Sequence, residues 1–346
     1  MVLNNQDLKI AVIVPVFNTE NYLQECLDSI TTQSYSNFEL YAINDGSTDS
    51  SASILDKYAK KDPRCHVIHK KNGGVASARN VALDYILQDG SFDIVCLVDS
   101  DDVLAPNSFK TIGHLFRKFN IDFILSSYIR FDKTGIIADS KKIPHAPLVL
   151  EGSQIFDFCL GTKAFKERLS PAFSVFIGNY YFSTNIIGNI RFKESLKTCE
   201  DQDFRFKTLL NANRGLAISD VTFMYRQRSS SLSHSGFGVT DDVCMLNEWF
   251  DLYPLIPDPV KQSVEYFAIQ CWWSSLRRAA SLNQLVKNWT PFRELLNRMQ
   301  KLFISDALSM PSSRKRIFLF SLGRHILNVY LRLNRKHIQK KVNTFE

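Results

Sequence analysis

No two of the seven cysteines stand at C-x-x-C spacing, and seven is an odd number. This pattern excludes a zinc cluster and a disulfide framework and predicts buried thiols in a reducing compartment. No apolar run reaches the roughly 20 residues that a bilayer-spanning helix needs. No secretory signal opens the chain, because Asn4 to Asp7 is polar and Ile10 to Val16 runs straight into a loop. The expectation is a cytoplasmic protein, with any membrane contact peripheral. Internal repeats and low-complexity tracts are also missing.

The bulk figures are those of a globular chain with a core: 346 residues, 45% hydrophobic and 22% charged. The net charge of +7 admits nucleic acid, an acidic substrate or an anionic membrane surface and chooses none of them. A nucleic-acid-binding chain would cluster basic residues with exposed aromatics. Here the basic excess gathers in the tail and the candidate ligand loops are acidic, so no nucleic-acid partner is expected.

Short apolar runs alternate with amphipathic stretches through the first half. Lys9 to Val16, Phe38 to Ile43, Cys65 to His69 and Phe92 to Val98 read as strands. Asn21 to Gln33, Thr48 to Lys60 and Val75 to Leu87 read as helices, with Ser47 or Thr48 available to cap the second. This order predicts βαβ units, an α/β fold and a mostly parallel sheet flanked by helices. Ser108 to Phe119 follows as a helix, Asp122 to Phe131 as a strand, and 133–150, with two prolines, as a loop. Glu200 to Asn211 reads as helical and Ala217 to Arg226 as a strand. From Val239 onward the signals are helical.

Ligands bind beyond the carboxyl ends of strands in such sheets, so the segments after the strands should carry the chemistry. Asp99-Ser100-Asp101-Asp102 places three carboxylates within four residues. They repel one another, and a hard divalent cation such as Mg²⁺ or Mn²⁺ would relieve the repulsion. The plainer alternative is acids at a helix start. Asp45, in Asn44-Asp45-Gly46-Ser47-Thr48-Asp49, is placed to accept from a nucleobase edge, although a turn would use the same residues. Asn72-Gly73-Gly74 precedes a helix carrying Ala78-Arg79-Asn80. Its glycines permit close backbone approach and the helix start favours phosphate, while Arg79 could balance the acidic loop or touch phosphate. Glu200-Asp201-Gln202-Asp203, on position alone, reads first as helix N-terminal acids. Tyr225-Arg226-Gln227-Arg228, with His234 beyond it, could bring positive charge toward a diphosphate.

Taken in this order, the segments resemble glycosyltransferase family 2. The resemblance runs from Ile13-Val14-Pro15-Val16-Phe17-Asn18 to Val98-Asp99-Ser100-Asp101-Asp102, over about residues 9 to 110, and continues more weakly through Glu200-Asp201 to Arg228. It implies a GT-A fold with a nucleotide-sugar donor under the strand ends, commonly a uridine nucleotide. It also implies inversion at the anomeric carbon and a glycan or lipid-linked glycan acceptor. Carried over by motif, Pro15, Phe17, Glu20 and Asp45 would line base and ribose, with Gly74, Arg79 and Ser100 also on the donor side. Asp99 would lie near ribose or metal, Asp101 would hold Mn²⁺ or Mg²⁺, His234 resembles a late metal ligand, and Asp201 would be the general base. Two departures are Asn44, where many members carry Asp, and Phe17, where Tyr is usual.

These readings divide the chain into a catalytic domain over 1–238 and a helical region over 239–346. Within the first, 1–110 is the donor half and 111–238 the acceptor half. From 311 to 346 there are nine Lys or Arg and one acid, interleaved with apolar residues. That composition suits a helix on an anionic membrane surface, or equally one packed on the protein with a solvated basic face. Oligomeric state is left open. Two alternatives stay beside the enzyme: a catalytically inactive binding module of the same fold, and a nucleotidyltransferase. The latter would need a basic, glycine-rich first loop, and Phe17-Asn18-Thr19-Glu20 has neither lysine nor glycine.

Overall fold

The computed structural model describes residues 8–139, 146–160, 177–228 and 239–281, and a few positions between 290 and 301. It has two compact units, 1–284 and 285–346. His234 and the tail 311–346 lie outside the described residues.

The first half follows the predicted alternation. β1 (Ile10–Val16), β2 (Phe38–Asp45), β3 (Cys65–Lys70) and β4 (Ile94–Leu97) are joined by α1 (Glu20–Thr31), α2 (Ser51–Lys61) and α3 (Val75–Asp89). All pairings among these four strands are parallel, in the order β3-β2-β1-β4. β1 is buried along its whole length, as its β-branched run requires in a sheet covered on both faces. Pro15 lies past the last β1–β4 pair, Ile13 with Leu97, so its missing N–H breaks no bond to β4.

The sheet then continues with mixed direction through β9 (Tyr180–Ser183), β6 (Phe123–Asp132), β10 (Arg214–Arg226) and β5 (Val103–Leu104). β9 enters antiparallel between β4 and β6, which restores β6 and β10 to the direction of β1. Six of the ten strands (β1–β4, β6, β10) therefore point their carboxyl ends to one edge. α4 (Ser108–Phe119) packs below, where Phe109, Ile112 and Phe116 join the core with Leu23, Leu27 and Ile30 of α1.

The expected loop over 133–150 is a correction. It contains β7 (Gly135–Asp139), antiparallel to β6, and β8 (Leu148–Glu151), antiparallel to β10. Both are short edge strands supplied with partners by tertiary contact, and Pro147 stands just before β8 instead of interrupting it. α2 begins at Ser51, not Thr48, because Gly46 to Ser50 is used by the loop. Three thiols correct the buried-cysteine reading: all seven are free, but Cys199 and Cys271 are only partly buried and Cys244 is exposed. Further α-helices among the described residues are α5 (Ser153–Cys159), α6 (Thr184–Ile187), α7 (Glu200–Leu209), α8 (Val239–Leu252) and α9 (Asp258–Ser281).

Gly215 of β10 stands in register with Phe123 of β6, whose ring fills the space above it. A Cβ at 215 would lie 2.1 Å from that ring. Gly215→Ala is expected to cost about 1–3 kcal/mol in urea unfolding, the usual penalty for overpacking a filled core. The double variant with Phe123→Leu should lose less than the two single losses added together; strict additivity would refute the contact.

Candidate active site

The first two strand-end loops are knitted together by reciprocal capping. Asp49, just before α2, accepts from the Glu20 N–H that starts α1 (3.0 Å), and Glu20 accepts from the Ser50 N–H (2.8 Å). Each helix start, with unpaired donors and positive dipole, takes its carboxylate from the other. Burial works against the Asp49 charge, but hydrogen bonds from Ser51 and Glu20 outweigh it and lower its pKa. Thr19 donates through its hydroxyl to Ser100 (3.0 Å), which ties the first loop to the acidic loop after β4. Phe17 stands between these loops with 48% of its surface exposed.

Asn44 explains its own departure from Asp. Its Oδ1 accepts the Ser47 N–H (3.0 Å), closing the turn, and its Nδ2 lies 2.8 Å from His69 Nδ1. Asp45 is buried and organises the third loop: it accepts from Lys70 Nζ (2.6 Å), Gly73 N (2.9 Å) and Gly74 N (2.7 Å). Gly46 is required here. It has φ +74°, and a Cβ would lie 2.8 Å from the Asn72 nitrogen. Gly74, at φ +91° with open space around it, starts α3.

Arg79 of α3 is the junction of the site. It is 3% exposed and donates from Nη2 to Asp99 (2.7 Å) and from Nη1 to Glu200 (2.9 Å), a residue 121 positions away. Of the two roles considered for Arg79, the geometry displays the balancing one. Asp101 Oδ2 lies 2.7 Å from Arg228 Nε in an ion pair whose N–H is not aimed at the oxygen. Asp102 accepts the Arg226 N–H through Oδ1 (2.8 Å), and its buried Oδ2 has no hydrogen-bond partner. Arg226 is locked in turn by the Asp101 carbonyl (2.7 Å), Glu25 (2.6 Å) and the Tyr22 and Phe131 rings. The end of β10 is therefore fastened over the acidic loop.

Burial and mutual repulsion hold these carboxyls above their usual range. Burial followed by Asp99 raises Asp101, and burial followed by Asp101 and Asp99 raises Asp102 well above it. Burial and neighbouring Asp201 push Glu200 up to about 7, against the pull of Arg79. Asp201 keeps some surface in solvent yet is ringed by protein, and burial raises it against Arg205 and Arg79. The arginines thus leave the cluster short of positive charge. Half-exposed Asp99 keeps one oxygen beyond its Arg79 bond, with Asp101 next but one. Two carboxylates this close are a donor set that suits Mg²⁺ or Mn²⁺, which take few protein ligands. Among the described residues no group of three His, Cys, Asp or Glu is arranged to hold a metal by itself.

Of the sequence-nominated residues, Phe17, Asp99, Ser100 and Asp101 belong to adjoining strand-end loops, and Arg79 of α3 and Asp201 of α7 stand beside them. Pro15 is buried inside β1, Glu20 is engaged in capping, and Asp203, the last of the second acidic group, is structural. Asp203 accepts from Lys207 and from the Trp249 indole. Sequence reasoning missed Asp241 and Asp242 of α8, which bond the turn leading into Glu200. Their position in the first turn of a helical stretch was the one available signal.

A half-sheet of parallel strands with nucleotide-type loops at its carboxyl edge, extended by a mixed half, defines a GT-A protein. The glycosyl transferase family 2 profile matches residues 11–169. The chain is 26% identical over 226 residues to uncharacterized glycosyltransferase EpsJ of Bacillus subtilis, covering 65% of this chain and 62% of EpsJ. It is 33% identical over 233 residues to glycosyltransferase GlyA of Streptococcus pneumoniae, covering 66% and 32%. These first relatives thus extend well beyond the part matched. The crystal structure of S. aureus TarS 1-349 in complex with UDP-GlcNAc shares the fold, with TM-score 0.66, 23% identity, and coverage of 85% of this chain and 81% of that one. The glycosyltransferase family 2 likeness therefore covers residues 11–169, a little under half of the chain.

Glu200 supplies a pH test. Its folded-state pKa of about 7 lies above its ordinary 4.5, so the folded state binds a proton there that the unfolded state has released. Stability from this group is present below 4.5 and is lost as pH rises through about 7. Unfolding midpoints of wild type should fall more steeply than those of Glu200→Gln between these values; parallel pH curves would contradict the assignment.

Proposed function

We propose that this chain is a metal-dependent, inverting glycosyltransferase that moves a sugar from a nucleoside-diphosphate donor, with UDP as the nucleotide, to a hydroxyl of a glycan or lipid-linked glycan. The observation that carries the proposal is the under-compensated carboxylate cluster at the end of β4, joined through Arg79 to Glu200-Asp201. Support for a UDP-sugar comes from TarS, solved with UDP-GlcNAc and named a poly(ribitol-phosphate) beta-N-acetylglucosaminyltransferase.

Asp99 and Asp101 are the proposed cation holders, and the cation would supply charge neutralisation for the diphosphate leaving group. Asp45 is the proposed acceptor for a nucleobase N–H. Its Oδ2 carries one bond in this structure where it can take two. Phe17 offers the base an apolar face. Asp201, held with a raised pKa, takes the proton of the acceptor hydroxyl as that oxygen attacks the far side of the anomeric carbon. Arg79 pairs with Glu200 beside it and opposes the rise that burial and Asp201 impose on that carboxyl. Because attack and departure are on opposite faces, one displacement inverts the centre. A binding module of the same fold would bind donor and turn none over.

Purified protein should hydrolyse one member of a nucleotide-sugar panel slowly with Mn²⁺ or Mg²⁺ and not with chelator; no turnover of any donor, with binding intact, would favour the binding module. Asp201→Asn should lower turnover by about 10²–10⁴-fold, the range of general-base contributions, with donor affinity kept. Asp101→Ala should remove the metal dependence of donor binding in calorimetry; an unchanged titration with metal present refutes its role.

A further inference from the structure

Arg79, inside the stretch that carries the family profile, pairs with Glu200, but the turn 197–199 just before it bonds to side chains from elsewhere. That turn is held by α8, some 70 residues beyond that stretch's end at 169. Asp241 receives three hydrogen bonds on one oxygen, from Lys197 N (2.8 Å), Thr198 N (2.7 Å) and the Thr198 hydroxyl (3.1 Å). Asp242 accepts the Cys199 thiol through Oδ1 (2.9 Å) and the Ser275 hydroxyl of α9 through Oδ2. Both aspartates are buried. The residue they surround, Cys199, has φ +66°, a left-handed conformation that a side-chain-bearing residue keeps only when its surroundings dictate it.

The same face of α8 continues two turns on. Trp249 donates to Asp203 (3.1 Å) and stacks on Phe206 at 3.8 Å, and Glu248 meets Lys207 (3.1 Å). α7, whose second residue is Asp201, is therefore held at its first residue and along its length.

We propose that Asp241 and Asp242 are positioning residues for the general base: they fix the 197–199 turn and hence the direction of the Asp201 carboxylate. The inference rests on the reading of Asp201 as base. Neither aspartate touches donor or cation, so donor affinity should not depend on them.

Asp241→Ala, Asp241→Asn and Asp242→Asn are assayed in the full chain beside Asp201→Asn, with active protein counted by donor titration. Asp241→Ala is expected to lower kcat about 10- to 100-fold, the usual cost of a misplaced catalytic group, with donor KM within about twofold. Asp241→Asn, which can still accept, should recover part of the loss. Asp242→Asn should speed alkylation of Cys199, mapped by mass spectrometry, because burial and the Asp242 charge hold that thiol up. Normal kcat in Asp241→Ala and Asp242→Asn alongside a dead Asp201→Asn would overturn the positioning role and leave the base in place. An active Asp201→Asn would remove the base reading itself. A loss confined to the fraction of folded protein, with kcat per site unchanged, would make the aspartates structural and also overturn the proposal.

Discussion

The site hangs on one buried guanidinium. Arg79 contacts Asp99 on one side and Glu200 on the other, with a Phe192 ring 5.1 Å from its centre. A buried cation with two carboxylates is costly to assemble and costlier to break: removing one partner of such a group typically loses about 3–5 kcal/mol. Its position is set from below, because α3 starts at Gly74, and Gly73 and Gly74 are hydrogen-bonded to Asp45 at the end of β2. A single chain of contacts therefore joins the ends of β2 and β4 to the start of α7. The parallel half of the sheet and the later helices become one site through it.

Charge balance around that chain decides what the site can do. Each of the three acids after β4 meets a basic residue: Asp99 through Arg79, Asp101 through Arg228, and Asp102 through the backbone of Arg226. Full neutralisation would argue against a cation site. The pKa directions show that it is not reached, since Asp101, Asp102, Glu200 and Asp201 are all raised. Arg79 is shared between two acids. Arg226 spends its guanidinium on Glu25 and the Asp101 carbonyl, and Arg228 approaches Asp101 without an aligned N–H.

The legible part of the sequence is the part whose physics is local. Buried strands in a parallel sheet give continuous apolar runs, so β1 to β4 and the helices between them read directly, and the strand-end rule then nominated the acids at 45 and 99–102. The second half of the sheet is built from short strands whose partners are distant. Tyr180 to Ser183 is four residues long and owes its strand to β4 and β6 on either side. Gly135 to Asp139 and Leu148 to Glu151 owe theirs to β6 and β10. Within Glu200-Asp201-Gln202-Asp203 the sequence could not separate a site acid from a structural one; Asp203 became structural because Trp249, 46 residues on, reaches it. Asp241 and Asp242 were unreadable for the same reason, since what they hold lies some 43 residues earlier.

The start of α7 shows which of two opposed effects governs the proposed base. Acids in a first helical turn are stabilised as anions by the helix dipole, by about 0.3–1 kcal/mol at exposed positions. Glu200 and Asp201 sit in that turn, and Arg79 and Arg205 add favourable charge. Both pKa values nevertheless rise, so loss of solvent at this depth, together with repulsion from neighbouring acids, outweighs the arginines. That outcome comes from the covering of α7 by α8, and from Cys199, whose left-handed backbone turns the chain inward. A carboxylate at an open helix start would be a weaker base than an ordinary aspartate. Burying the same helix start makes it a stronger one, suited to taking a proton from a sugar hydroxyl.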